Sequence, residues 1–142
     1  MHFNLVDRVL DCTPERIVTV KQVSAAEEYL QDHFPGFPVL PGVMMLEAMV
    51  QAGRLLAEHR GGPARLVLGQ VRALKYGRFV RPGEVLRVQV EWGKELPDGA
   101  IDLKGEGRVL PALAGERGAV NVDEAPVAVS GRMVLRPVRA GG

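Results

Sequence analysis

Residues 33–59 read HFPGFPVLPGVMMLEAMVQAGRLLAEH. The first half places Pro35, Pro38 and Pro41 beside Gly36 and Gly42, a mixture of fixed and permissive backbone that makes a stiff, shaped loop. From Val43 the pattern turns helical, and no proline follows until Pro63. Met44, Met45, Ala48, Met49, Ala52, Leu55 and Leu56 cover one broad side of this helix, and Val43, Leu46 and Val50 widen it. A helix so apolar is expected to be buried. Glu47 and Gln51 nevertheless stand in it four residues apart, on one face, with Arg54 and Glu58 continuing the polar line outward.

A buried carboxylate costs several kcal/mol unless paired, hydrogen-bonded or protonated, so Glu47 needs a physical reason. Three readings are open: a solvated face, a structural acid held by Gln51 and backbone groups, or a general acid or base tuned by burial. His33, at the mouth of the loop, favours the third. It adds a second group able to exchange a proton near neutral pH.

Composition narrows the classes. A chain of 142 residues fits one domain with a real core, and 46% apolar with 25% charged residues is ordinary for a globular protein. A net charge of +1, without a basic run or zinc spacing, argues against a nucleic-acid partner. The lone Cys12 excludes an internal disulfide and fits a reducing compartment. Neither a leader-like start nor an apolar run near the ~20 residues of a membrane span is present, so a cytoplasmic location is expected.

Strands are expected at residues 5–11, 16–23, 65–76, 85–92, 100–110 and 127–136. The clearest is 85–92, where Leu86, Val88, Val90 and Trp92 alternate with Arg87, Gln89 and Glu91. Ser24-Ala25-Ala26-Glu27 has the form of a capping box opening a short helix. Gly61-Gly62-Pro63 ends the long helix, and Gly53 inside it costs up to ~1 kcal/mol relative to alanine unless close packing on a sheet demands it. One apolar helix among strands joined mostly by short turns implies an α+β domain over residues 1–142, an antiparallel sheet curled around the helix. Residues 111–126 form an unusually long connection, expected as a loop insertion. Exposed sheet edges and an uncovered helix face make pairing with a second copy reasonable.

The run His33-Phe34-Pro35-Gly36-Phe37-Pro38-Val39-Leu40-Pro41-Gly42-Val43, followed by Glu47-Ala48-Met49 and Gln51, resembles the signature of the bacterial 3-hydroxyacyl-acyl carrier protein dehydratases of type II fatty acid synthesis. It is similar to the branch with Glu at the second catalytic position, not to the dehydratase/isomerase branch with Asp. Leu5–Asp11, Lys21–Ser24 and Arg78 with Pro82-Gly83-Glu84 extend the resemblance over about residues 5 to 110. Departures are Phe79, where the family usually has proline, Ala25-Ala26-Glu27-Glu28, and the 111–126 stretch.

The resemblance implies the hotdog fold, homodimers often assembled three to a hexamer, and no cofactor or metal. It implies dehydration of a (3R)-3-hydroxyacyl chain on an acyl carrier protein to the trans-2-enoyl product. That reaction needs a base at C2, an acid at the C3 hydroxyl, and donors for the thioester carbonyl as charge builds there. His33 suits the base and Glu47 the acid, with the His of one subunit facing the acid of the other. The backbone N–H groups of Gly42 and Val43 suit the carbonyl, and Gln51 suits the orienting of Glu47. Phe37, Val39, Leu40 and Met44 are candidates for an acyl tunnel, although methionines on such a face equally fit an ordinary core. Lys75, Arg78, Arg81, Arg132 and Arg136 are candidates for a basic rim toward an acidic carrier protein. Two alternatives stand beside this reading. One is another hotdog enzyme on acyl-coenzyme A, an enoyl-CoA hydratase or thioesterase; the other is a non-catalytic acyl-binding subunit.

Overall fold

The computed structural model describes residues 4–24, 39–62, 65–111 and 121–138. Six strands and one long helix follow in the order β1 (Arg8–Cys12), β2 (Arg16–Gln22), α1 (Gly42–His59), β3 (Leu66–Tyr76), β4 (Val85–Glu95), β5 (Ile101–Leu110) and β6 (Val127–Pro137). The strands form one antiparallel sheet in the order β1-β2-β4-β5-β6-β3, which leaves β1 and β3 at its edges. α1, 18 residues long, lies across the sheet. No described helix is long and apolar enough to cross a membrane.

Alternation along β4 buries Leu86, Val88 and Val90, which meet Leu103 of β5 and Met133 and Leu135 of β6 in the core beneath α1. From the helix come Met45, Ala48, Met49, Ala52 and Leu56, all buried. Each large apolar side chain so buried contributes roughly 1.5–3 kcal/mol. Glycines set the distance between the layers. A Cβ on Gly53 would stand 2.8 Å from Leu103 Cδ1 and 3.2 Å from Leu135 Cδ1, and one on Gly105 would stand 2.7 Å from Met49 Sδ. The helical cost of Gly53 is therefore offset by close seating on the sheet.

The strand boundaries move by more than one residue in two places, each for a local reason. β1 starts at Arg8 because Leu5 is drawn onto the helix instead: it is 1% exposed and its N–H donates to Gln51 Oε1 at 2.8 Å. β4 runs on to Glu95 through a bulge between Trp92 and Lys94. Gly93 permits that bulge, since a Cβ there would stand 2.4 Å from the Asp102 carbonyl. Of the long connection, Pro111 and residues 121–126 are described. Asn121 caps a single 3-10 turn at Val122–Glu124, and Val109 N–H donates to Pro126 O at 2.9 Å, closing the segment onto β5.

Candidate active site

Pro41 brings the chain into α1 with extended backbone and no side-chain cap. The N–H groups of Met44 and Met45 both reach Pro41 O, at 2.9 and 3.2 Å. Among the described residues nothing accepts from the N–H of Gly42 or Val43, as expected for the first positions of a helix. Val43 is 64% exposed. The start of α1 thus presents two donors at the positive end of the helix dipole.

Beside these donors lies a cavity of about 240 Å³ lined by Val39, Leu40, Gly42, Met45, Tyr76 and Phe79, among others. Leu40 is held there by its N–H, which donates to Val80 O at 2.8 Å. A Cβ on Gly42 would approach the Tyr76 ring to 3.0 Å, so a glycine keeps the passage between ring and helix open. Met44 does not line this cavity; it packs against the core, and Met45, one residue on, takes the cavity wall. His33 and Phe37 lie outside the described residues, as does the helix expected after Ser24.

Glu47 departs from the burial expected for it. Its side chain is 40% exposed, because α1 packs on the sheet along one side only and Glu47 faces away. Two neighbours on the same helix face hold it. Gln51 Nε2 donates to Glu47 Oε1 at 3.4 Å, and Arg54 Nη1 lies 3.7 Å from the same oxygen. Each neighbour is anchored in turn: Gln51 Oε1 accepts from Leu5 N–H, and Arg54 Nε donates to Leu66 O at 2.7 Å. The carboxylate is therefore aimed by a ladder fixed at both the N-terminal segment and the start of β3.

The five cations expected at a basic rim are dispersed. Arg78 pairs with Glu84 at 2.8 Å, and Arg136 pairs with Asp98. The backbone N–H of Arg81 donates to Glu84 Oε1, leaving its exposed side chain beside the turn at Gly83. Lys75 and Arg132 lie together on the far face of the sheet. Cys12 takes no part: burial first, and Asp11 second, push its thiol up, which keeps it protonated and unreactive. Sequence reasoning set Arg54 on the polar line of Glu47 without giving it a role, chose Met44 over Met45 for the cavity, and missed Tyr76. Phe79 was visible only as a departure, and its place in the cavity wall gives that departure a location.

Comparison with known proteins gives the family. A FabA-like domain model matches residues 1–109. The chain belongs to the FabA-like family. A 3-hydroxyacyl-[acyl-carrier-protein] dehydratase FabZ of Protochlamydia amoebophila is 38% identical over 130 residues, covering 88% of this chain and 84% of that one. The FabZ of Chloroflexus aggregans is 45% identical over 95 residues, 63% of this chain and 64% of the other. Among solved structures, the dehydratase heterocomplex ApeI:P from Xenorhabdus doucetiae superimposes with a TM-score of 0.69 at 18% identity, covering 96% of this chain and 84% of that one. A thioesterase superfamily member from Thermus thermophilus gives 0.62 at 17%, covering 87% and 80%. The shared architecture of this family is the hotdog fold, with the antiparallel sheet as its bun and α1 as its filling.

Proposed function

We propose that the chain is a 3-hydroxyacyl-[acyl carrier protein] dehydratase, a hydro-lyase of fatty acid elongation. It takes a (3R)-3-hydroxyacyl thioester to the trans-2-enoyl thioester and water. The observation that carries this reading is the aimed carboxyl of Glu47, on the same helix whose Gly42 and Val43 N–H groups, without an acceptor among the described residues, open beside an apolar cavity. The thioester carbonyl accepts from those N–H groups, which stabilise the negative charge that develops as the C2 proton leaves. His33 takes that proton. Glu47, protonated, gives its proton to the C3 hydroxyl, which departs as water, and the electron pair from the C2–H bond becomes the new double bond. The glutamate at that position supports the branch with Glu over the dehydratase/isomerase branch with Asp.

Glu47 is too exposed in one chain to work in a dry site, so the reading needs a second copy. The homodimer, and its assembly as a trimer of dimers, covers the open face of α1 and brings one subunit's His33 to the other's Glu47. Residues 1–142 act as one hotdog domain, in the cytoplasm, with an acyl carrier protein presenting the chain and Val39 and Leu40 receiving part of it. The fold by itself is equally compatible with thioester hydrolysis. Incubation with 3-hydroxyacyl thioesters on carrier protein and on coenzyme A separates the outcomes. Enoyl absorbance with the thioester intact is expected, fastest on carrier protein. Free thiol release without enoyl formation would replace the dehydratase with a thioesterase.

A further inference from the structure

The sheet face turned away from α1 carries an arrangement of cations that the dehydration reaction does not use. In the strand register Arg132 of β6 stands directly opposite Arg72 of β3 on one side and Lys104 of β5 on the other. Like charges facing each other across strands destabilise a sheet, so their retention calls for a counter-charge. Arg72 has one, Asp102 at 2.9 Å. Arg132, Lys104 and the nearby Lys75, which pairs in register with Ser130, make no ion pair or hydrogen bond with any described residue.

These three cations border a concave basin of about 230 Å³. The backbone of Gly105 and Gly131, paired in register, forms part of its floor. On the β3 side the ladder breaks between Arg72 and Lys75, and Ala73 adopts φ 53°, a left-handed backbone that a non-glycine residue takes only at a cost. That bulge sets Ala73 and Lys75 on the basin wall. Ser130 adds a hydroxyl donor. Of the acids beside the basin, Glu106 is engaged by Arg108 Nε at 2.7 Å, and Glu91, opposite Lys104 in the register of β4 and β5, accepts from Gln89 Nε2 at 3.1 Å and makes no ion pair with Lys104.

We infer that this basin is an anion site for a phosphate group, held by Lys75, Lys104 and Arg132 with the Ser130 hydroxyl. Ammonium, guanidinium and hydroxyl donors converging on one small hollow suit a compact tetrahedral oxyanion. An acidic protein would instead need cations spread over a much wider face. The inference is independent of the dehydratase reading, because it concerns the opposite face of the sheet and its test reads binding alone.

The test is isothermal titration calorimetry on the full chain at constant ionic strength, with inorganic phosphate, glycerol phosphate and hexaglutamate as probes and chloride as the reference. Saturable phosphate binding at one site per chain is expected. Lys104→Gln and Arg132→Gln should each weaken it roughly tenfold, the usual scale for loss of one charge-assisted contact. Glu106→Gln should tighten it, and Lys94→Gln, a lysine elsewhere on the sheet, should leave it unchanged. Stronger binding of glycerol phosphate than of inorganic phosphate would assign the site to a phosphorylated metabolite; the reverse would assign it to free phosphate. Heat no greater than with chloride would overturn the inference. So would binding that survives in the Lys104→Gln/Arg132→Gln double variant with its circular dichroism intact, or saturation by hexaglutamate but not phosphate.

Discussion

Glu47 shows how much depends on a single side chain. An apolar helix surrounding one carboxylate predicts burial, yet the side chain is 40% exposed and steered by Gln51 and Arg54. Replacing Glu47 with Gln keeps the hydrogen bond to Gln51 but removes the proton that the proposed mechanism gives to the C3 hydroxyl, and His33→Ala removes the base proposed for the C2 proton. Each substitution should lower turnover by about 100-fold or more, within the usual range for a lost general acid or base. The urea unfolding midpoint of Glu47→Gln should stay near wild type, since a half-exposed group contributes little to stability. Near-normal turnover in either folded variant would remove that residue from the chemistry. Arg54 makes a subtler case. Its guanidinium spans Leu66 O and the Glu47 carboxylate together, which no lysine ammonium can do from one point. Arg54→Met should therefore reduce kcat severalfold with KM unchanged, and Arg54→Lys should not restore it. A change confined to KM would make Arg54 a substrate contact instead of a positioning residue.

At the level of elements, the β4–β5 hairpin is pinned by its turn. Asp98 Oδ1 accepts from Ala100 N–H at 3.1 Å, and the Arg136 guanidinium of β6 reaches the other oxygen. The Ala100 N–H, and after it Arg136, hold the Asp98 carboxyl below its ordinary value. A depressed carboxylate stabilises the fold above its unfolded pKa and loses that contribution as pH falls through the folded one. Asp98→Asn should accordingly be less stable than wild type at pH 7, with the gap closing as acid is added. Thermal midpoints of the two proteins from pH 7 to pH 2.5 measure it; a gap that stays constant would mean that the turn is held by backbone geometry alone. The strands themselves were legible because β-branched residues alternate and Gly or Pro marks the turns, as in β4, where Leu86, Val88 and Val90 all point inward. Their ends were less so. Leu5 leaves the strand pattern for a contact with Gln51, 46 residues away, and β4 continues through the bulge that Gly93 permits. Local periodicity carries no record of such distant partners. The Arg72–Asp102 pair, between β3 and β5, was invisible for the same reason.

The whole molecule explains why the helix looked buried all round when its own sheet covers one side. Met45, Ala48, Met49 and Leu56 face the sheet of the same chain, while Val43 and Glu47 face outward. The edge strand β3 likewise leaves Val67 and Leu68 exposed beside a backbone edge that no described strand pairs. An apolar pattern wider than one sheet can cover is what a chain needs when a second copy supplies the other wall. If two copies complete each other's sites, an active centre takes His33 from one subunit and Glu47 from its partner. Subunits carrying His33→Ala and subunits carrying Glu47→Gln would each be inactive as homodimers. In a mixed dimer, one of the two sites joins two mutated residues and the other joins two intact ones. Random exchange of equal amounts makes about half of the dimers mixed, and each restores one site of two, so about a quarter of wild-type activity should return. Native mass spectrometry shows whether exchange has occurred, and the dehydration assay then reads the recovered fraction. Complete exchange with no recovery would confine His33 and Glu47 to one chain, and the exposure of Glu47 would then have to be closed by residues of its own subunit.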